Sequence, residues 1–251
     1  MSMPFYVAPE QVMKDRADYA RKGIARGRSA VGLTFDQGVL LCAENPSNTL
    51  RKLSEIYDRI AFAGVGKYNE FDQLRIAGVR HADLKGYSYS REDVDARSLA
   101  NLYAQYLGQI FTHELKPLEV EILVAEIGED ASGDQMFHIR YDGTVIDERR
   151  FLVVGGESDV IAERLGQSWQ LGLDLHAALR AAVLALAGPE RTLSADDDSA
   201  TGGPDLMRGI YPVVATVTDA GYERVGDDEL AERTVTLLER LRERRTGGDA
   251  S

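Results

Sequence analysis

The chain has 251 residues, 44% of them hydrophobic, which is enough to bury a sizeable core and excludes a disordered protein. A formal net charge of -12 and a pI near 4.9 oppose general binding to nucleic acid or anionic membrane and leave soluble proteins as the expected partners. The single cysteine, Cys42, lies in the apolar run 39–43, so it forms no internal disulfide and reads as a buried, inert thiol in a reducing compartment.

The start, Met1-Ser2-Met3-Pro4-Phe5-Tyr6, lacks a basic region followed by an apolar one, and Ser2 excludes myristoylation. No later stretch reaches membrane-span length, so a cytoplasmic location is expected. Residues 9–24 place Met13, Ala17, Ala20 and Ile24 at helical spacing, with Pro9 suited to the first turn and Gly23 and Gly27 to the exit. The apolar runs 30–35 and 38–43 flank Asp36-Gln37-Gly38 and predict a hairpin buried on both faces; further strands are expected at 52–56 and 59–65. Two helices follow, over 68–81 and 94–113, the second with a stripe of Leu99, Leu102, Tyr103, Tyr106, Leu107 and Ile110.

A second block of strands is expected at 119–127, 136–141, 144–146 and 151–156, then helices near 159–166 and 173–187, the latter closed by Gly188-Pro189. Residues 192–205 have the composition of a mobile surface loop. Strands near 209–218 and 222–225, a helix over 227–245 and a polar tail at 246–251 complete the order. Two antiparallel blocks, each followed by paired helices, predict an α+β fold of four layers, with two sheets face to face and helices outside them.

Several chemical signatures fail. Gly64-Val65-Gly66-Lys67 stands where a phosphate loop would, but Ala61, Tyr68 and Asn69 occupy positions that nucleotide loops need as Gly or Ser/Thr, so a tight strand-to-helix turn is expected. His81, His113, His138 and His176 form no metal-ligand spacing, and no metal or cofactor is expected. Ser158 lacks the glycines of a nucleophile elbow and reads as a helix N-cap. The basic residues Lys14, Arg16, Arg21, Lys22, Arg26 and Arg28 stand out on an acidic chain. Without interleaved aromatics they suit an acidic face of a neighbouring copy better than RNA.

Residues 2–11, 18–29, 43–47, 54–59, 64–71 and 116–121 together closely resemble the α-subunit of actinobacterial proteasomes; beyond Arg191 the match is one of element order. The resemblance implies the four-layer αββα sandwich of the N-terminal-nucleophile hydrolases, in which catalytic β-type subunits use an N-terminal threonine whose own α-amine acts as general base. Here Arg28 or Ser29 stands in that place behind an intact helix, and an amide nitrogen takes no proton at neutral pH. The expectation is a non-catalytic subunit. A self-processing amidohydrolase that releases Ser29 is the alternative.

The resemblance further implies a seven-membered ring of copies that templates a ring of proteasome β-subunits and docks an AAA ATPase ring for protein degradation. Residues 1–8 become a gate segment in which Met3, Pro4, Phe5, Tyr6, Val7 and Ala8 plug the axial pore, though the polar latch of archaeal and eukaryotic relatives is missing after Tyr6. Residues 9–245 form one domain carrying the helix 9–24, whose Met13, Arg21, Lys22 and Arg26 face the neighbouring copy, and 246–251 are the tail. Lys52 matches the lysine that receives an ATPase tail carboxylate, with Pro9 as relay to the gate; on the residues alone, Lys52 reads as a solvated surface lysine.

Overall fold

The first apolar runs fold as β1 (Ala30–Phe35) and β2 (Gly38–Glu44), paired antiparallel with Ala30 opposite Ala43 and Phe35 opposite Gly38. The structure, a computed structural model, describes residues 8–45, 49–128, 132–193, 212–218 and 220–224. The expected gate residues Met3 to Val7, the helix over 227–245, the tail and most of the acidic loop lie outside these.

Both runs read as continuous apolar sequence because each strand is covered on two sides. Ala30, Val39, Leu41 and Ala43 face the second sheet, while Val31, Leu33, Phe35, Leu40 and Cys42 face a helical layer. The same division governs β4 (Ile60–Gly66) and β5 (Val120–Glu126), where Ala61, Ala63, Val65, Leu123 and Ala125 point between the sheets and Phe62, Ile122 and Val124 point outward. Small side chains therefore dominate the inner rows, letting the sheets approach, and large ones fill the outer rows.

Around these central strands lie β3 (Leu53–Tyr57), β6 (Gln135–Ile139), β7 (Val145–Glu148), β8 (Phe151–Val154), β9 (Pro212–Thr218) and β10 (Gly221–Arg224). Among the described residues they form two five-stranded sheets, β10-β9-β2-β1-β8 and β3-β4-β5-β6-β7, antiparallel at every pairing. Helices α2 (Tyr68–Ser88) and α3 (Ala96–His113) cover the second sheet through Phe71, Leu74, Leu99, Tyr103 and Leu107. Helices α4 (Ser158–Ser168) and α5 (Leu175–Leu193) cover the first through Ile161, Leu165, Ala178, Ala182 and Leu186. The expected four-layer α+β sandwich is the observed one. Helix α1 (Pro9–Ile24) sends Ala20 and Ile24 into the inter-sheet core.

Element boundaries depart from expectation for local reasons. Helix α2 runs seven residues past His81, to Ser88, because Ala82 and the close approach of Gly86 to Tyr57 continue its buried face. Helix α3 starts at Ala96 because the Asp95 carboxylate accepts a hydrogen bond from the Ser98 amide at 2.7 Å, a cap that the apolar stripe hides. Ser158 is not an N-cap. It is the first helical residue of α4, with Glu157 in the cap position and no side-chain cap bond. Gly188, at φ 69, breaks the helical backbone of α5 where Gly188-Pro189 is expected to end it, and helical structure resumes to Leu193.

Candidate functional site

The connection from α1 into β1 decides what chemistry the first strand can perform. It runs through Ala25 to Arg28 with Gly27 N bonded to Ile24 O, and delivers Ser29 as an internal residue only 7% exposed. Ser29 is packed against Gly155, whose φ of +121 and absent side chain are both required. A Cβ there would lie 2.9 Å from Ser29 Oγ. The nitrogen of Ser29 is thus an amide inside continuous backbone, and its hydroxyl has no neighbouring α-amine to activate it.

Three segments converge beside it. Arg28 precedes β1, Glu44 ends β2 and Lys52 precedes β3. Lys52 Nζ donates to the Arg28 carbonyl oxygen at 2.6 Å, and Arg28 Nη1 lies 3.3 Å from Glu44 Oε2. Lys52 is not the solvated lysine its neighbours in sequence suggest, being 8% exposed. Burial lowers its pKa to about 8; the Glu44 carboxylate opposes that shift and the Arg28 guanidinium adds to it. The arrangement seats the Lys52 amine at the ends of three strands, held by a carbonyl oxygen. Cys42, two residues before Glu44 on β2, is fully buried, and desolvation pushes its thiol up to about 12, as the reading of an inert cysteine requires.

Helix α1 is anchored by polar as well as apolar contacts. Arg16 Nη1 donates to the carbonyl oxygens of Phe111 at 2.6 Å and Thr112 at 3.0 Å, placing a cation on the C-terminal end of α3. Tyr19 Oη donates to Glu119 Oε1 at 3.3 Å, and Lys116 Nζ lies 2.8 Å from the same oxygen. Burial alone would raise the Glu119 carboxyl, but the Lys116 hydrogen bond and charge outweigh it and hold the group below the usual carboxylate range. Glu70, in the first turn of α2, accepts from the Glu119 amide at 2.7 Å and lies 3.2 Å from both Lys67 Nζ and Lys116 Nζ.

That same corner settles the Gly64–Lys67 turn. Gly66 adopts φ +106 with its missing Cβ 2.0 Å from Glu119 O, and Lys67 N bonds that oxygen, so the start of α2 carries a carboxylate and a packed backbone. It is the tight strand-to-helix turn expected.

Of the six basic residues in and after α1, Arg16 and Arg28 are engaged within the fold. Arg21 lies 3.3 Å from Asp18 and 5.8 Å from the Tyr141 ring centroid, yet stays exposed. Lys14, Lys22 and Arg26 are exposed with no ion pair among the described residues, and Met13 lies beside them, 37% exposed. Met13, Arg21 and Lys22 of the expected ring-facing set are thus exposed on α1, and Arg26 is exposed in the turn after it. Pro9 opens that helix from the extended residue Ala8, whose carbonyl accepts from Gln11 N and Val12 N. Sequence reasoning passed over Tyr19, Glu44 and Glu119, and the pairing of Arg28.

Among the described residues no group of three or more His, Cys, Asp or Glu side chains is arranged to hold a metal ion, and no helix is long and apolar enough to cross a membrane. His138, buried, has Nε2 3.2 Å from Glu121 Oε2 and is part of the sandwich interior.

The family profile described as Proteasome subunit matches residues 24–201. The chain is 66% identical over 197 residues to a proteasome subunit alpha of Acidimicrobium ferrooxidans, covering 78% of this chain and 85% of that one. It is 51% identical over 246 residues to a proteasome subunit alpha of Kineococcus radiotolerans, covering 98% and 93% of the two. It is also 50% identical over 231 residues to that of an Arthrobacter species, covering 92% and 97%. With the double sandwich and the helix before its first strand already in view, these matches establish that the chain belongs to the proteasome subunit family, as an α subunit.

Proposed function

We propose that this α subunit is non-catalytic and works through its surfaces: seven copies form an outer ring that templates a ring of β subunits, gates the axial channel and docks an AAA ATPase ring in the cytoplasm. The observation that carries the reading is the intact helix-to-strand connection at Ser29. A residue whose nitrogen is acylated by Arg28 and whose hydroxyl is packed against Gly155 lacks the free amine that nucleophilic attack needs in this fold. Peptide-bond hydrolysis then falls to the β subunits.

Ring formation is supported by the exposed basic residues Arg21, Lys22 and Arg26 on an otherwise acidic chain, since a copy carrying net charge -12 offers acidic surface to a neighbour's α1. Residues 1–8 act as the gate in this reading, and 9–245 act as one domain. Lys52 takes the carboxylate of an ATPase tail, and Pro9 passes the docking on to the gate. Native mass measurement of the chain alone and with a β subunit tests the assembly. A fourteen-subunit α/β half-particle or its dimer is the expected product, and a particle with any other α stoichiometry would contradict it. Deleting residues 1–8 is expected to raise peptide hydrolysis by the assembled particle; an unchanged rate would remove those residues from the gate.

A further inference from the structure

The two halves of α1 are held unequally. Towards its end, Ala20 and Ile24 lie in the inter-sheet core, Ala17 packs against that core, and the Glu119 carboxylate fills the space that a side chain at Gly23 would need. The first two turns, Pro9 to Asp15, are exposed apart from a half-buried Val12. Their side-chain hydrogen bond among the described residues, Gln11 to Asp15 at 2.7 Å, stays within the helix. Arg16 stands at the junction of the two halves. Its Nη1 donates to the carbonyl oxygens of Phe111 at 2.6 Å and Thr112 at 3.0 Å. Those acceptors belong to a fixed element, because Phe111 packs against the inter-sheet core and its ring lies 5.7 Å from that of Tyr141.

We propose that Arg16 is the positioning residue that sets the direction of the first two turns of α1 and so, through Pro9, the place of residues 1–8 in the channel mouth. This rests on the reading of residues 1–8 as the gate. A helix rises 1.5 Å per residue, so Pro9 stands about 22 Å from Ile24 and Arg16 about 12 Å from it. Over that length a tilt of about 10° about the buried end carries Pro9 by about 4 Å. A cation on the last-turn carbonyls of α3 makes charge-assisted bonds at the negative end of a helix dipole, and its position midway along α1 opposes that tilt. Without Arg16, no side-chain bond among the described residues ties the exposed turns to the sandwich, while Ala20 and Ile24 keep the helix attached. Lysine keeps the charge but loses the planar guanidinium, so it restores the direction only in part.

The experiment measures hydrolysis of a fluorogenic peptide by assembled α/β particles carrying Arg16→Ala or Arg16→Lys, each with and without residues 1–8, and native mass confirms assembly. Arg16→Ala is expected to raise the rate about threefold in the full chain, and Arg16→Lys by less. Once residues 1–8 are deleted, wild type and both variants are expected to hydrolyse at one common rate. If the deletion raises hydrolysis and Arg16→Ala does not, Arg16 is not the positioning residue although the gate stands. If Arg16→Ala raises the rate by the same factor with residues 1–8 absent, its effect bypasses them and the proposal falls. If the deletion alone changes nothing, the gate reading falls and takes the proposal with it. Should Arg16→Ala fail to assemble, amide hydrogen exchange of the isolated chain decides. Faster exchange over residues 12–16 with residues 20–24 unchanged is expected, and exchange equal to wild type over 12–16 overturns the assignment.

Discussion

The inward side of α1 buries Ala20 and Ile24 between the sheets, and Arg16 and Tyr19 bond to α3 and the approach to β5, whereas Lys14 and Lys22 on the helix and Arg26 just after it lie in solvent. Basic residues occur on both sides of one helix, so residue type alone does not separate anchoring charge from docking charge. Position relative to the sandwich does. Arg16 reaches two carbonyl groups in the last turn of α3, while Lys22 and Arg26 reach no acceptor among the described residues.

Substitutions on the two sides should therefore act on different observables. The largest effect on the stability of the isolated chain is expected for Ile24→Ala, about 3 kcal/mol by urea unfolding, because a side chain 3% exposed leaves a cavity between the sheets. A loss under 1 kcal/mol would mean that α1 is only loosely seated. Arg16→Ala should cost about 1.5 kcal/mol through the two lost carbonyl contacts, read the same way.

Glu119→Gln should cost about 1 kcal/mol, a figure kept small because Lys116 is 45% exposed and its pairing is screened by salt. The sign with pH follows from the lowered carboxyl. Its contribution is complete above the ordinary carboxylate range and disappears as pH falls through the lowered value, so the variant should lose less stability than wild type on acidification. Equal acid profiles would remove Glu119 from the anchor. The smallest change in stability, within about 0.5 kcal/mol, is expected for Lys22→Glu with Arg26→Glu. That double variant should nonetheless lose ring assembly by native mass. Retained rings would place the neighbour's contact elsewhere.

The central strands were legible because covering both faces leaves continuous apolar runs broken only by turn residues, as β1 and β2 are at Asp36-Gln37-Gly38. The alternation inside those runs, small residues inward and large outward, was present as well, but it assigns sheet faces only once the pairing is known. The end of α2 was not legible, because the close packing of Gly86 on Tyr57 joins residues far apart in sequence.

The site divides in the same way. Lys52 stood out by resemblance, yet its burial and its bond to Arg28 come from the convergence of three strand ends. Extending the hairpin register one residue past the Ala30–Ala43 pair sets Ser29 opposite Glu44 and so brings Arg28 beside that carboxylate, a signal available in the sequence. Tyr19 and Glu119 lie 100 residues apart, and no local pattern joins them.

The central claim is that the helix before β1 stays in place and denies Ser29 a free amine. Intact-mass analysis of this chain taken from assembled, peptidase-active particles, with a peptidase assay of the chain alone, tests it most directly. The account predicts a chain that retains the residues before Ser29 and hydrolyses no peptide without β subunits. A chain beginning at Ser29 that hydrolyses peptides on its own would contradict it.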